Sequence, residues 1–144
     1  MDVQQSINNV RRLYEEAYNN GNLNICDSIC VSNLKFNDLS TAHVQIGITP
    51  FKEAEKEYHQ AFPNKKVTIE DIFVSSDKVI VRWSCHGRHE GQFHDLKATH
   101  RNINISGISI YRFTNGKISE IWQAWDHLHL FEQLGIIHAS HVLH

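Results

Sequence analysis

Hydrophobic residues at the start of the chain are spaced as in amphipathic helices. From residue 3 to residue 19 they recur every three or four positions, which predicts one helix. The polar segment Asn19-Asn20-Gly21-Asn22 is expected to end this helix, because glycine and asparagine favour helix ends. A shorter helix is predicted directly afterwards. Its apolar side would consist of Leu23, Cys26, Ile29 and Cys30.

A third helix is predicted between the two prolines of the chain. Thr49 can cap its start and Pro50 suits a first turn, whereas Pro63 is expected to end it. The buried stripe of this helix would consist of Phe51, Ala54, Tyr58, Ala61 and Phe62.

After Pro63 the spacing of hydrophobic residues changes from helical to strand-like. Segments rich in Val, Ile, Phe, Tyr and Trp predict four strands. These strands are expected over residues 66–75, 78–86, 101–113 and 117–125. Turns between them are predicted at Asp77, within residues 87–91 and at Asn115-Gly116, the strongest hairpin signal of the three.

In the third predicted strand the hydrophobic alternation changes phase. Ile103 and Ile105 share one face, whereas Ile108 and Ile110 share the other, and Gly107 lies between the two pairs. This pattern predicts a bend or bulge at Gly107.

The chain closes with a predicted helix over residues 127–134, ended by Gly135, and a half-apolar tail. We expect this tail, residues 136–144, to dock on the sheet or on a partner. The order of helices, antiparallel strands and a last helix predicts one α+β domain over residues 1–144, with helices packed on one face of a curved sheet. A sheet curled around helices leaves a cavity whose mouth can hold a small molecule.

Composition narrows the classes of function. A net charge of −2, 41% hydrophobic residues and 21% charged residues fit an ordinary globular domain of 144 residues. Without a clustered basic face or a long apolar run, neither nucleic-acid binding nor membrane insertion is expected. The three cysteines, an odd number, and the lack of a signal pattern at the N-terminus favour a reducing cytoplasm.

Several segments spread over nearly the whole chain match one known family in order and spacing. They are Arg11-Arg12-Leu13-Tyr14, Ala17-Tyr18-Asn19-Asn20-Gly21, Ala61-Phe62-Pro63, Gly87-Arg88-His89-Glu90-Gly91, residues 107–118 and residues 122–135. The chain thereby resembles the SnoaL-like polyketide cyclase and ester cyclase family. The resemblance implies a cone-shaped α+β barrel like that of nuclear transport factor 2, with a curved antiparallel sheet wrapped around N-terminal helices. It also implies an oligomer, most simply a homodimer.

The resemblance further implies an intramolecular aldol ring closure of a hydrophobic, polyketide-like carbonyl compound, without a metal or an organic cofactor. In the family, a carboxylate of the last strand removes a proton α to a carbonyl and then protonates the new oxygen. That carboxylate position falls on Gln123, whose amide cannot accept a proton at neutral pH. A histidine of the preceding strand falls on Ser109. We expect Gln123 and Ser109 to polarise or orient a carbonyl.

Asp126 and His89 are the candidates for moving the proton. Asp126 follows two tryptophans at the end of the last strand, where an apolar wall would raise its pKa. The alternative is that Asp126 caps the last helix. His89 lies between Gly87 and Gly91, where a tight turn would expose its imidazole. The alternative is a turn histidine bonded to the backbone.

The pocket is expected to have aromatic walls. The resemblance aligns Tyr18 and Ala54 with pocket positions of the family. An aromatic-lined cavity in a cone fold would suit a planar ligand. The other residues assigned to the pocket are Phe36, Tyr58, Trp83, Ser109, Tyr111 and Trp125.

The eleven histidines do not predict a metal site. His127 and His129 do not share a helix face, and no histidine has a zinc-ligand spacing with cysteines. His138, His141 and His144 could share one helix face. Cys26 and Cys30, four residues apart, are explained equally well as small buried thiols.

Three functions therefore stay open. The first is a cofactor-independent cyclase, isomerase or lyase. The second is a non-catalytic small-molecule-binding protein of the same fold, because Gln123 replaces the acid of the family. The third is an interaction protein that forms a homodimer through the outer face of its sheet.

Overall fold

The structure is a computed structural model that describes residues 1–136 of the chain. Its helical elements are α1 (Val3–Arg12), a π-helix (Leu13–Asn19), a 3₁₀ turn (Leu23–Ile25), α2 (Cys26–Ile29), α3 (Ile48–Ala61) and α4 (His127–Gln133). Two expectations, the docking of the tail and the shared face of His138, His141 and His144, concern residues outside this described part.

The first helical stretch has the predicted length, but it is an α-helix in its first part and a π-helix in its second part. The Asp2 carboxylate caps it by accepting a hydrogen bond from the N–H of Gln5 at 3.0 Å. From Leu13 onward the hydrogen bonds change to the wider π pattern, which is often found at functional sites. Gly21, with a φ of +74°, follows the end of this helical stretch, as the sequence predicts.

The third helix, α3, begins two residues before Pro50 rather than at a threonine cap. Its cap position is Gly47, and no side chain makes a capping hydrogen bond there. The prediction that Thr49 caps this helix is wrong, because Thr49 already lies inside the helix and a cap residue must lie outside it. Pro50 does lie in the first turn, and the helix ends at Ala61, before Pro63.

The described residues contain six strands that form one curved sheet. The strands are β1 (Cys30–Asp38), β2 (His43–Ile46), β3 (Lys66–Ser75), β4 (Lys78–Arg88), β5 (Asn102–Thr114) and β6 (Lys117–Trp125). Their order in the sheet is β2-β1-β6-β5-β4-β3, and every neighbouring pair is antiparallel except β1 and β6, which are parallel. The α+β class and the curved sheet are confirmed.

Strands β1 and β2 are the elements that the sequence did not predict, whereas β3 to β6 match the four predicted segments closely. The sequence of β1 is Cys-Val-Ser-Asn-Leu-Lys-Phe-Asn-Asp, with few β-branched or aromatic residues. Its pairing with β6 joins residues more than 80 positions apart, such as Asp38 and Gln123. Pairing over such a separation leaves no local signal.

The predicted bulge at Gly107 is absent from the β4–β5 pairing, whose register is continuous from Arg88–Asn102 to Lys78–Arg112. The bulge is therefore not found there, and the phase of the hydrophobic alternation changes because Ile108, which is 50% exposed, lies on the outer face of the sheet. Gly107 instead allows the Trp83 side chain to pack closely against the strand. A Cβ atom there would lie 2.4 Å from Cζ2 of Trp83, so glycine makes room for the indole ring.

The core lies between the helices and the inner face of the sheet. Its largest fully buried side chains include Leu13, Tyr14, Ile29, Leu34, Tyr111, Ile118 and Ile121. Among residues 1–136, no helix combines the length and the apolar character that a membrane span requires.

Candidate functional site

A cavity of about 80 Å³ lies between the helices and the inner face of the sheet. Its walls are mainly aromatic and aliphatic, with a few polar groups, which is the usual make-up of a small-molecule site. The lining residues are Tyr14, Tyr18, Glu55, Tyr58, Lys65, Val67, Trp83, Cys85, Ile105, Gln123 and Trp125.

The π-helix supplies two tyrosines to this wall. Tyr14 and Tyr18 contact each other edge to face, with ring centroids 4.9 Å apart. The hydroxyl of Tyr14 is hydrogen-bonded to that of Tyr111 at 2.8 Å. Burial raises the pKa of Tyr14 and of Tyr18 well above the usual value, and it raises the pKa of Tyr111 to about 12. The three hydroxyls therefore stay protonated at neutral pH.

Gln123 is oriented by a relay of two hydrogen bonds. The indole N–H of Trp83 donates to Ser109 Oγ at 3.0 Å, and Ser109 Oγ donates to Gln123 Oε1 at 3.1 Å. Because an indole nitrogen can only donate, the serine must accept from it and keeps its own proton for the glutamine oxygen. The Nε2 amide of Gln123 is then left as a hydrogen-bond donor in the cavity wall.

Glu55 of α3 and Lys65 form a charged pair in the same wall. Their side chains are only 18% and 7% exposed, and Lys65 Nζ lies 3.9 Å from Glu55 Oε2. Lys65 Nζ also donates to the backbone oxygen of Tyr18 at 2.6 Å. Burial raises the pKa of the Glu55 carboxyl, an effect that the neighbouring Lys65 cation partly offsets. A carboxyl of this kind can exchange a proton closer to neutral pH than an exposed glutamate.

The residues predicted for the pocket are divided between the wall and the layer behind it. Tyr18, Tyr58, Trp83, Gln123 and Trp125 line the cavity. Ser109 and Tyr111 are fully buried and support Gln123 and Tyr14 through hydrogen bonds. Phe36 packs on Phe51 with ring centroids 5.6 Å apart, and neither Phe36 nor Ala54 lines the cavity.

Asp126 occupies the cap position of α4, which is the alternative to its catalytic role. Its Oδ1 accepts a hydrogen bond from the N–H of His129 at 2.8 Å. The side chain is exposed and is not part of the cavity wall. The carboxylate therefore satisfies a free backbone N–H of the helix start.

His89 is fully buried and also lies outside the cavity wall. Its Nδ1 accepts a hydrogen bond from the N–H of Thr99 at 3.0 Å and lies 2.9 Å from Thr99 Oγ1. The predicted turn with an exposed imidazole does not form, because β4 continues to Arg88 and residues 89–101 make a long connection to β5. This connection packs closely on α3: a Cβ atom at Gly91 would lie 2.0 Å from the Gln60 backbone oxygen.

Glu55 and Lys65 are the polar wall residues that the sequence did not reveal. A signal for Glu55 was present: it lies four residues after Phe51 and three before Tyr58, inside the apolar stripe of α3. A charged residue on such a stripe points into the interior. Lys65 carried no comparable signal, since it lies in the short link between α3 and β3.

The thiols and histidines of the described residues form no metal centre. No group of three His, Cys, Asp or Glu side chains converges within residues 1–136. Burial raises the pKa of Cys26 to about 11 and that of Cys30 to about 12, so both remain protonated and unreactive at neutral pH. They act as small apolar side chains of the core.

Comparison of the sequence with protein families gives one match. The model of the SnoaL-like polyketide cyclase family covers residues 8–134 of the chain. No curated protein is detectably similar in sequence.

Solved structures give many matches. A putative SnoaL-like polyketide cyclase from Jannaschia sp. CCS1 is 17% identical, with a TM-score of 0.85 and coverage of 94% of each chain. TsrD from Streptomyces laurentii is 23% identical, with a TM-score of 0.85 over 95% of this chain and 99% of the other. A putative polyketide cyclase from Bacillus cereus ATCC 10987 is 27% identical, with a TM-score of 0.74 over 93% and 83%.

Proposed function

Because the chain belongs to the SnoaL-like polyketide cyclase family, we propose that it is a cofactor-independent cyclase or isomerase. Its substrate would be a hydrophobic small molecule with carbonyl groups, and the reaction an intramolecular aldol-type ring closure. The three described thiols are buried and unpaired, which supports the cytoplasm as the proposed compartment.

One observation carries this proposal. The cavity wall contains both a donor amide, Gln123, held in place by Ser109, and a buried carboxyl, Glu55, with a raised pKa. A proton-accepting group and a fixed hydrogen-bond donor in one cavity are the two elements that enolate chemistry requires. Glu55 thus replaces the acid that the family has at position 123 and takes over the roles that the sequence assigned to Asp126 and His89.

In the proposed reaction Glu55 takes one proton from a carbon atom and later gives it to an oxygen atom. Glu55 removes a proton α to a carbonyl, and the resulting enolate oxygen accepts a hydrogen bond from the Gln123 amide. The enolate carbon attacks a second carbonyl carbon of the same molecule, which forms the new C–C bond. The new alkoxide then takes the proton back from Glu55. The product is an isomer of the substrate, and no oxidant or leaving group is involved.

The runner-up is a non-catalytic binding protein of the same fold. It is favoured by the glutamine at position 123, because an amide cannot exchange the proton. The two functions differ in what Glu55 does: the enzyme uses its carboxyl as a base, whereas the binding protein needs only its shape and charge.

Exchange of α-protons for deuterium tests the proposal without knowledge of the substrate. We expect the wild-type chain to accelerate exchange in a small aryl ketone such as 1-indanone in D₂O, measured by NMR. Glu55→Gln should reduce the rate by about 10²- to 10⁴-fold, the usual contribution of a general base. In the wild type the rate should rise with pH through an inflection above the ordinary glutamate pKa, because the carboxylate is the active form and burial raises its pKa.

Glu53→Gln is the matched control, since Glu53 lies on the exposed side of the same helix. This variant should exchange at the wild-type rate. Equal acceleration by wild type and Glu55→Gln would show that Glu55 is not the base. No acceleration by the wild type with a panel of aryl ketones and diketones would favour the binding protein.

A further inference from the structure

Of the described residues 1–136, Lys65 is the one lysine or arginine in the cavity wall, and its side chain is 93% removed from solvent. Its ammonium group has three N–H donors. One donates to the backbone oxygen of Tyr18, and Nζ forms an ion pair with Glu55 Oε2 at 3.9 Å, which is longer than a hydrogen bond. Among residues 1–136 the ammonium makes no second hydrogen bond to the protein; it lies over the Tyr18 ring, 5.7 Å from the centroid, and Lys65 lines the cavity.

The other titratable groups around this ammonium do not compensate its charge when Glu55 is protonated. The titratable groups whose pKa is shifted by the charge of Glu55 or Lys65 are Tyr14, Tyr18, Cys26, Tyr58, His59, Cys85 and Tyr111. Burial raises the pKa of each tyrosine and cysteine in this set, so they stay neutral, and it lowers the pKa of His59. Within residues 1–136, Glu55 is thus the one anion paired with the Lys65 cation, and a buried cation needs an anionic partner.

We propose that Lys65 binds a carboxylate of the ligand, so that the cavity takes a small aromatic or hydrophobic carboxylic acid, with Glu55 accepting a proton when the acid binds. This inference rests on the proposed function only in that the cavity is the ligand site: a carboxylic acid bound in this way holds Glu55 in its neutral form, so it occupies the cavity as a ligand and is not turned over. The ligand carboxylate would occupy the unused donor of Lys65. A protonated Glu55 would no longer compete for that cation or repel the incoming anion.

Because Lys65 exchanges Glu55 for the ligand carboxylate, the affinity for that ligand should depend on pH. Above the raised pKa of Glu55 its carboxylate neutralises Lys65, whereas below that pKa the cation is uncompensated. Binding of a carboxylate should therefore tighten as the pH falls through the raised pKa of Glu55, as long as the ligand, with an ordinary carboxylic acid pKa of about 4, stays ionised. Binding of the corresponding neutral amide should not depend on Glu55 protonation.

The experiment is a calorimetric titration with benzoate and with benzamide, two planar probes of nearly equal shape. For the wild type at pH 6 we expect benzoate to bind about tenfold or more tightly than benzamide, a difference of about 1.4 kcal/mol. Glu55→Gln removes the competing carboxylate at nearly constant shape, so it should bind benzoate more tightly and lose most of the pH dependence. Any pH dependence of benzoate binding that remains in this variant is assigned to protonation of His59, whose Nε2 lies 2.9 Å from the Ala17 oxygen.

Lys65→Met should lose the preference for benzoate and keep its affinity for benzamide. The matched control is Lys66→Met, which removes an exposed lysine of the next position and should bind both probes as the wild type does. Should Lys65→Met fail to fold, as judged by circular dichroism, the wild type and Glu55→Gln decide the question by themselves.

Three results would overturn the proposal: affinity for benzoate and benzamide that is equal in the wild type at every pH, benzoate binding by Glu55→Gln that is no tighter than that of the wild type at the high-pH end of the titration, and no detectable benzoate binding at all. Each is read from binding alone. A failure here with retained α-proton exchange leaves the cyclase proposal standing, and a failure of exchange with tight benzoate binding leaves the acid-binding site standing.

Discussion

At the scale of single residues, the cavity is defined by polar groups whose partners lie far away in sequence. Gln123 depends on Ser109, and Ser109 depends on Trp83, each from a different strand. Such a relay fixes which end of the glutamine amide points into the cavity. The chemistry of position 123 therefore depends on a buried serine as much as on the glutamine itself.

Removing that serine hydroxyl tests the relay. Ser109→Ala leaves Trp83 Nε1 and Gln123 Oε1 without their shared partner, so we expect a loss of about 1–3 kcal/mol of unfolding free energy, measured by urea denaturation. It should also slow α-proton exchange by roughly 10- to 100-fold, less than the loss of an oxyanion donor commonly costs. Ser106→Ala, at an exposed position of the same strand, should change neither quantity. A stable Ser109→Ala with unchanged exchange would show that the relay does not orient Gln123.

At the scale of elements, the connection of residues 89–101 is fixed to the body of the protein through its ends. The N–H of His89 donates to the Arg101 oxygen at 2.9 Å, and the N–H of His100 donates to the His89 oxygen at 2.9 Å. Between these ends, Phe93 packs on Tyr58, a residue of the cavity wall, with ring centroids 5.4 Å apart. His89 thus acts on the site through the structure of this connection.

The imidazole of His89 should therefore matter more for stability than for catalysis. His89→Ala leaves the N–H of Thr99 unpaired, so we expect a loss of about 1–3 kcal/mol of unfolding free energy and little change in α-proton exchange. Burial lowers the pKa of His89, so the unfolded chain binds its proton more readily. Wild-type stability should consequently fall as the pH drops below about 6.5, the ordinary histidine pKa.

Denaturation curves between pH 5 and pH 7.5, a range of roughly one unit or more on either side of that value, check this expectation. The slope of stability against pH should be smaller in His89→Ala than in the wild type. His86→Ala, an exposed histidine of β4, serves as the control and should keep the wild-type slope. Loss of exchange activity at unchanged stability in His89→Ala would instead return His89 to a catalytic role.

At the scale of the whole molecule, the outer face of the sheet carries a row of apolar side chains. Phe73, Ile80, Ile110 and Trp122 are successive register partners across four strands, and Ile108 lies beside this row. Phe73 and Ile108 are 60% and 50% exposed. We propose that a second copy of the chain covers this face around a two-fold axis, since such a contact pairs one apolar patch with itself.

A charge placed beside this row tests the dimer. Ile108→Lys should shift the chain toward a monomer in analytical ultracentrifugation, because a lysine buried in the contact would lose its hydration or repel its symmetry mate. Val3→Lys is the control: Val3 is 49% exposed but belongs to α1, on the other side of the sheet. A wild-type chain that sediments as a monomer at high concentration would refute the proposed pairing.

The sequence alone determined the features that depend on neighbouring residues. The apolar spacing of α3, the alternation of β3 to β6 and the Asn115-Gly116 turn are local patterns, and a local pattern fixes a helix, a strand or a hairpin. The aromatic residues of these elements indicated Tyr18, Tyr58, Trp83 and Trp125 as walls of one pocket, whereas the resemblance to the family assigned Gln123 to it; all five line the cavity.

Only the tertiary structure decided the rest. It placed β1 beside β6, turned His89 into the interior and brought Lys65 within 3.9 Å of Glu55. None of these three features could be predicted from the residues that neighbour the positions in sequence. The charge of the cavity, and with it the proposed chemistry, arises from burial and distance between such segments, and both exist only once the chain is folded.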